Sequence, residues 1–577
     1  MVTRPPVRSV SIVLTGSGGA GVMTAGEILL EAATSCGLYG LMTRSSGPQI
    51  RGGEAAAMLR LSTAQVENAD DRFDVLICLD FDNVQRFAAE IPLDGESLIV
   101  GDPAAGPLPA EIAAKGARFV EVPMARITKG IAGGRISMVA LGVLARLIGL
   151  PESSIVTAVA ESIGRRKPEA LVANEQAVKA GAAAAADLPA VPRLALPATV
   201  PTGRWSITGN EAAGLGAIKG GVRFVAGYPI TPATEILEWM APALQQCGGV
   251  LIQAEDELAS INMIIGASHG GVPSLTATAG PGLSLMIESL GLAVASETPV
   301  VVVDVMRTGP STGIATKSEQ TDLNIAVYGL HGDAPHVVVA PLGITDALAT
   351  TQWAVHLAEA LQTVTIVLSD QSIGQSRAVV DRPKDVAWKA ERLIAAEVGP
   401  AYRRYETTPS GISPQAIPGL AGGQYTADGL EHNTRGTPSS QARDHMAQLD
   451  KRERKIAAFD YGDTWAEIEG EGDLAIVTWG SSTQPVREAI ARAAEEGVSV
   501  RLVALRLISP AQPEKFAAAL AGVRKVLVIE QSHTGQLWRH LRAHYDFTAT
   551  VVPIHRPGPL PIRPGEVLAD ILKEVRR

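Results

Sequence analysis

Residues 228–232 read Tyr-Pro-Ile-Thr-Pro, and they stand where an apolar run stops and a helical pattern begins. Two prolines stiffen this corner by fixing φ. Thr231 occupies the place of an N-cap, with Pro232 at the first helical position. A helix N-terminus offers free N–H groups and partial positive charge, so the corner suits a carboxylate. It also suits a plain strand-to-helix loop, and residues elsewhere must decide between the two. Three further stretches each follow an apolar run: Glu255-Asp256-Glu257, Gly280-Pro281-Gly282 and Arg307. A carboxylate cluster, a glycine turn, a cation and a capped helix end therefore share one register. Together they have the groups needed to grip an anionic substrate.

The elements that must position these residues alternate. VRFVAG, GGVLIQA, PSLTATA, PVVVVDV, PHVVVAP and TVTIVLSD read as strands within residues 205–395, with helical patterns between most of them. That alternation predicts an α/β domain with a doubly wound parallel sheet, in which ligands bind at the carboxyl ends of the strands. Every stretch named above falls at such an end. Residues 466–577 repeat the pattern in smaller form, with strands LAIVTW, VSVRLVAL and KVLVIEQ, the helix QPVREAIARAAEEG closed by Gly497, and a last helix around HTGQLWRHLRAHY. Residues 396–465 carry many Gly, Pro, Ser and Thr, then the charged run Asp450–Lys455, and read as a solvated connector or a lid. Residues 181–204 are rich in Ala and Pro and read as a semi-extended linker.

Residues 1–180 form a third α/β segment. Strand RSVSIVLTG runs into Gly16-Ser17-Gly18-Gly19-Ala20-Gly21 and then a helix. Strand, glycines and helix in that order fit a phosphate-binding fingerprint, and equally a tight turn with no ligand. No acid closes the next strand to hold a ribose; Arg44-Ser45-Ser46-Gly47 stands there, so a nicotinamide with a 2′-phosphate stays open. Pro48-Gln49-Ile50-Arg51-Gly52-Gly53-Glu54 is a second glycine-rich turn with a cation.

At 577 residues the chain needs several domains. Its net charge of −10 argues against nucleic acid as the main partner. The most apolar stretch is broken by Glu297, Thr298 and Pro299, so no membrane span is expected. The first ten residues have no apolar core of a signal peptide. Cys36, Cys78 and Cys247 are isolated, which excludes a zinc ribbon or an iron–sulfur cluster built from this chain alone and points to the cytoplasm. No metal site is expected within the chain. His540 and His544 lack the Glu of a metalloprotease helix and read as surface histidines.

The stretches GYPITPATEI, IQAEDELASINMIIGAS, ATAGPGLSL and MRTGPSTGIATKSEQTDL, in that order, resemble the α subunit of 2-oxoacid:ferredoxin oxidoreductases. GSGGAGVMTAGEILLEAA and SSGPQIRGGEA resemble the family's γ domain, fused ahead of α as in the 2-oxoglutarate type. The resemblance covers nearly the whole chain and is weakest at 396–465. It implies a γ-type domain, a pyrimidine-type thiamine domain and a transketolase C-terminal-like domain. It implies conversion of a 2-oxo acid and coenzyme A into acyl-CoA and CO2 with reduction of ferredoxin, reversibly, on thiamine diphosphate. Glu257 matches the family's glutamate for the aminopyrimidine, nine residues before Gly266. Glu255 and Asp256 stand beside it as like charges that would help it share a proton. Arg307 matches the carboxylate-binding arginine. Thr231 and Thr316 match threonines at the substrate, with Tyr228 beside them, and Gly280 and Gly282 match the thiamine-side turn. Gly18, Gly21, Ser46 and Arg51 are candidates for part of the coenzyme A contact. Two departures are Ala279 for a serine and Ile314-Ala315 for Leu-Pro.

The motif that holds pyrophosphate and Mg²⁺ is missing, as are cluster cysteines. The resemblance therefore implies a partner β subunit with the pyrophosphate motif and a [4Fe–4S] cluster, an (αβ)2 assembly, and activity only in the complex. Pyruvate or a branched 2-oxo acid stays open as substrate. Two alternatives are an NADP-dependent oxidoreductase resting on Gly16–Gly21, and a non-catalytic binding subunit.

Overall fold

Valine-rich runs build the sheets. Val300–Met306, VVVVDVM, is buried along its whole length, as suits a parallel strand covered on both faces. The structure, a computed structural model, describes residues 7–17, 19–46, 54–81, 84–164 and 167–576. The chain forms two units: one takes Met1–Ile207, Ser376–Pro383 and Arg563–Gly565, the other the remainder.

The first unit holds a sheet with strands β1 (Ser9–Ser17), β2 (Tyr39–Ser46), β3 (Glu54–Ser62), β4 (Val75–Cys78), β5 (Leu98–Gly101), β6 (Arg118–Glu121), β7 (Trp205–Thr208) and β14 (Arg377–Val380). Their order is β6-β5-β4-β1-β3-β2-β14-β7. β1, β4, β5 and β6 are parallel, whereas β3 runs antiparallel to both β1 and β2. The expected parallel sheet is thus mixed here. Only seven residues separate β2 from β3, too few for a crossover, so these neighbours must be antiparallel.

The second unit holds two sheets. The larger has β8 (Phe224–Gly227), β9 (Val250–Gln253), β10 (Ser274–Thr278), β11 (Val300–Met306), β12 (Val337–Val339), β13 (Val364–Asp370) and β18 (Leu507–Ser509), in the order β18-β12-β13-β11-β10-β8-β9. All its pairs are parallel except β12 with β18. The smaller has β15 (Ala466–Glu469), β16 (Leu474–Trp479), β17 (Val500–Leu505), β19 (Lys525–Glu530) and β20 (Thr550–His555), in the order β15-β17-β16-β19-β20. One residue, Arg506, separates β17 from β18, yet the two strands join different sheets. Its guanidinium is paired to Asp346 at 2.8 Å and Glu467 at 2.5 Å. A single apolar core runs through both sheets, from Val303 and Ile366 to Trp479 and Val503.

Residues 396–441 form no helix or strand, as expected of an irregular connector, but the end of the range is not solvated. Its charged run lies on the helix Ala442–Ala457, and Lys451 and Lys455 are buried. Both ammonium groups meet Glu297, itself fully buried; the Lys455 pair measures 3.1 Å. Arg404 donates to the Glu297 carbonyl at 2.9 Å. Composition suggested exposure, but a buried counter-charge 154 residues away in sequence decides otherwise. His540 departs from expectation in the same way. It is 3 % exposed, with Nδ1 at 2.7 Å from the Tyr328 hydroxyl and Nε2 at 3.0 Å from the Ile508 carbonyl.

Candidate active site

Because β8, β9, β10 and β11 are parallel neighbours, their carboxyl ends lie along one edge of the larger sheet. Tyr228, Ala254, Ala279 and Arg307 open the segments that leave that edge, with Glu255 next after Ala254.

The Tyr-Pro-Ile-Thr-Pro corner is not an N-cap. The Thr231–Pro232 peptide is cis, residues 231–233 form a turn, and the helix Thr234–Gln246 begins after Ala233 with no side-chain cap. The Pro232 carbonyl instead accepts from Asn210 Nδ2 at 2.9 Å. The corner turns the Thr231 carbonyl toward Arg307, whose Nη1 donates to it at 2.8 Å. Arg307 is 8 % exposed, and its Nε is buried with no partner among the described residues. An arginine cannot shed its charge in a protein, so a buried Nε–H without an acceptor is a site for an incoming anion. Tyr228 stands at the mouth with 40 % of its surface exposed.

Thr316 lies in the loop after Arg307. Thr308 closes that loop: its N donates to the Lys317 carbonyl at 2.9 Å, and its carbonyl accepts from Ile314 N at 2.9 Å. At Gly313, φ is +53° and an added Cβ would sit 1.6 Å from the Thr308 carbonyl, so only glycine fits this turn. Beyond Thr316 the chain is pinned by the buried Gln320. Its Nε2 donates to the Trp479 carbonyl at 2.9 Å, and its Oε1 accepts from Gln531 N at 2.7 Å and Ser482 Oγ at 2.9 Å.

Glu257 is the first residue of the helix Glu257–His269. Asp256 caps that helix, accepting from Ala259 N at 2.7 Å, while Glu255 is exposed. The two like charges expected beside Glu257 are thus one exposed and one half-buried acid. Glu257 is 7 % exposed, and among the described residues no group hydrogen-bonds its carboxylate. It lies against the glycine turn that starts the helix Gly280–Ala295. A Cβ on Gly282 would stand 2.1 Å from Thr278 Oγ1 and 2.8 Å from Glu257 Oε1. The missing side chain lets the Glu257 carboxylate and the Thr278 hydroxyl close up against the turn.

A second pair of carboxyls lies at the same edge. Asp304, inside β11, is fully buried, and among the described residues neither of its oxygens has a hydrogen-bond donor. Asp322 faces it, and a Cβ on Gly280 would stand 2.6 Å from Asp322 Oδ2. Burial pushes both carboxyls up: Asp304 well above its ordinary range and Asp322 to about 6. Sequence reasoning named neither. An acid inside VVVVDV was the available signal for Asp304; nothing local marked Asp322.

The coenzyme A candidates belong to the first unit. Gly18 and Arg51 lie outside the described residues. Gly21 has φ +85° and precedes the helix Val22–Ser35, and Ser46 ends β2. Among the described residues no cluster of metal-ligating side chains occurs, and no helix is long and apolar enough to cross a membrane.

A sheet edge carrying a buried arginine, a buried carboxylate and a glycine turn has the groups of an anion-binding catalytic site. Three family models match in turn: pyruvate ferredoxin/flavodoxin oxidoreductase at residues 11–184, the thiamine diphosphate-binding part of pyruvate flavodoxin/ferredoxin oxidoreductase at 215–451, and core domain II of pyruvate:ferredoxin oxidoreductase at 472–567. The chain belongs to the α subunits of the 2-oxoacid:ferredoxin oxidoreductases. It is 30 % identical to 2-oxoacid:ferredoxin oxidoreductase 2 subunit alpha of Aeropyrum pernix, over 93 % of each chain. It is 32 % identical to the 2-oxoglutarate oxidoreductase subunit KorA of Mycobacterium tuberculosis, over 94 % of this chain and 88 % of that one. Among solved structures it superposes on 2-oxoglutarate:ferredoxin oxidoreductase from Magnetococcus marinus, solved with 2-oxoglutarate, coenzyme A and succinyl-CoA bound. The TM-score is 0.91 at 36 % identity, covering 99 % of this chain and all of that one.

Proposed function

We propose that the enzyme to which this α subunit belongs takes 2-oxoglutarate, converting it with coenzyme A into succinyl-CoA and CO2 and passing the electrons to ferredoxin. The observation that carries the reading is Arg307: buried, tied on one side to Thr231, with an unpartnered Nε on the edge that also presents Glu257. The likeness to the Magnetococcus marinus enzyme supports the choice of substrate.

In this reading Arg307 holds the 2-oxo acid carboxylate through two parallel donors, and the Thr231 carbonyl fixes the plane of the guanidinium. The Thr316 hydroxyl and the Tyr228 ring border the same anion. The Glu257 carboxylate, without a hydrogen-bond partner among the described residues, would take a ring nitrogen that brings a proton to it. Glu257 then holds or returns that proton at its carboxyl oxygen. Gly280 and Gly282 would form the turn on the thiamine side of the site. Thiamine diphosphate supplies the carbanion chemistry when bound.

The pyrophosphate with Mg²⁺ and a [4Fe–4S] cluster are assigned to the partner β subunit, and the complex to an (αβ)2 assembly in the cytoplasm. Residues 1–180 serve as the γ-type domain and supply part of the coenzyme A contact through Gly18, Gly21, Ser46 and Arg51. Residues 205–395 form the pyrimidine-type domain and residues 466–577 the transketolase C-terminal-like domain.

The test is anaerobic reduction of ferredoxin or viologen by the chain co-purified with its partner. 2-Oxoglutarate and coenzyme A are supplied, with pyruvate and NADP in parallel arms. Reduction that requires 2-oxoglutarate, coenzyme A and the partner is the expected result. Faster reduction with pyruvate overturns the substrate. The Arg307→Ala complex is expected to lose on the order of 2–5 kcal/mol of transition-state binding; a change under twofold in kcat/KM overturns the arginine's role.

A further inference from the structure

Two acids face one another beneath the substrate edge, and the chemistry above uses neither. Asp304 sits inside β11, in register with Thr278 of β10, whose hydroxyl lies beside Gly282. Asp322 precedes the short helix Leu323–Tyr328 but makes no cap to it. Its Oδ1 accepts from Thr321 Oγ1 at 3.2 Å, and its Oδ2 has no donor. Both Asp304 oxygens also lack a donor. Two ionised carboxylates are acceptors only and cannot satisfy each other. Like charges buried together hold a proton between them, as in carboxyl dyads generally.

The pair also reaches Arg307. Thr321 Oγ1 donates to the Arg307 carbonyl at 3.3 Å, which ties the residue before Asp322 to the arginine. Asp322 is the carboxylate that acts on the Arg307 charge. The other charged groups around it are Asp304 from β11 and Glu319 from its own loop, with His533 beyond Glu319. Arg307 thus has an internal anion close by and an unpartnered Nε for an external one.

We propose that the Asp304–Asp322 pair is a positioning device that sets the grip of Arg307 on the substrate carboxylate, taking up a proton as the substrate binds. The inference rests on the reading of Arg307 given above. With one proton shared, the pair carries one negative charge and competes with the substrate for Arg307. With a second proton on Asp322 that competition ends. Binding and protonation are linked, so each favours the other by the same factor. The second proton binds at Asp322 near pH 6. Affinity for the 2-oxo acid therefore falls as pH rises through that value and levels off above it.

The test uses the complete complex with its partner, and reads KM and kcat for the 2-oxo acid separately between pH 6 and 8. For a coupling of about tenfold, KM rises about fivefold across that range. Asp322→Asn removes the internal anion. Its KM becomes nearly flat with pH and falls below the wild-type value at pH 8, with a smaller effect on kcat. Loss of a carboxylate that merely held the fold would raise KM or lower kcat at every pH instead. Asp304→Asn is the second variant. It replaces the carboxyl that hydrogen-bonds Asp322 and holds it down, while burial still raises Asp322, so the rise in KM moves to higher pH. If either folded variant keeps the wild-type pH profile while Arg307→Ala still abolishes turnover, the pair has no such role. If Arg307→Ala changes kcat/KM by less than twofold, the reading of Arg307 fails and the proposal falls with it.

Discussion

Gly282→Ala is the sharpest perturbation available, because it adds one methyl group against the candidate catalytic carboxylate. The added Cβ would lie 2.7 Å from Glu257 Cγ and 2.8 Å from Glu257 Oε1. Ordinary contact is about 3.5 Å, so the carboxylate oxygen must retreat by about 0.7 Å. Thr278 Oγ1, at 2.1 Å, must move further and does so by rotating its hydroxyl. A displacement of about 1 Å at a reacting group costs on the order of a hundredfold in rate. We expect kcat to fall about 10- to 100-fold, or about 1.4–2.7 kcal/mol in barrier. Overpacking costs about 1–3 kcal/mol of stability in addition, so thermal midpoints must be read alongside rates. The assay is anaerobic viologen reduction by the α–partner complex at saturating 2-oxo acid and coenzyme A, with thiamine and iron content measured. Gly282→Ala combined with Thr278→Ala removes the nearest contact and leaves those to Glu257. Stability should then recover while kcat stays low. A fully loaded Gly282→Ala complex with kcat within twofold of wild type refutes the reasoning.

Two further perturbations test how the site is held. Gln320→Leu strips three side-chain hydrogen bonds from a buried anchor below the Thr316 loop. Each group left unsatisfied costs about 1–3 kcal/mol, so the thermal midpoint should drop, and KM for the 2-oxo acid should rise more than kcat falls; an unchanged KM would detach that loop from substrate binding. Glu297→Gln leaves Lys451, Lys455 and Arg404 without their buried counter-charge and should cost about 3–5 kcal/mol in denaturant unfolding. Lys455, Lys451 and Arg404 hold the Glu297 carboxyl well below its ordinary range against the opposing effect of burial. Its contribution is therefore complete above about pH 4.3, the unfolded value, and is lost as pH falls toward the depressed folded value. The Gln variant should lack this part of the acid sensitivity, and an unchanged profile would remove Glu297 from that account.

Much of the edge was legible in the sequence because parallel strands announce themselves. Buried on both faces, they read as apolar runs, and the residue after each run must lie at the carboxyl edge. Tyr228, Glu257, Gly280, Gly282 and Arg307 were all found by that rule, and each falls at the strand end or helix start that the pattern implied. The YPITP, GPG and RTGPSTG stretches also carry the family, since their spacing within the chain survives translation into one sheet.

Local pattern could not reveal which groups meet across the fold. Thr231 reads as an N-cap, but its carbonyl accepts from Arg307 and the helix starts only after Ala233. Asp450–Lys455 reads as a solvated charge run, yet two of its lysines neutralise Glu297 inside the protein. β17 and β18, one residue apart, part company because Arg506 is fastened to Asp346 and Glu467. Asp304 and Asp322 are 18 residues apart in sequence and share a buried space only because β11 and the loop before Leu323 converge. The sequence by itself determined the elements, their order and the residue types at the edge, since these follow from periodicity and chain-local sterics. The tertiary structure alone decided the partners of each charge, because burial and proximity belong to the packed molecule and not to any segment of it.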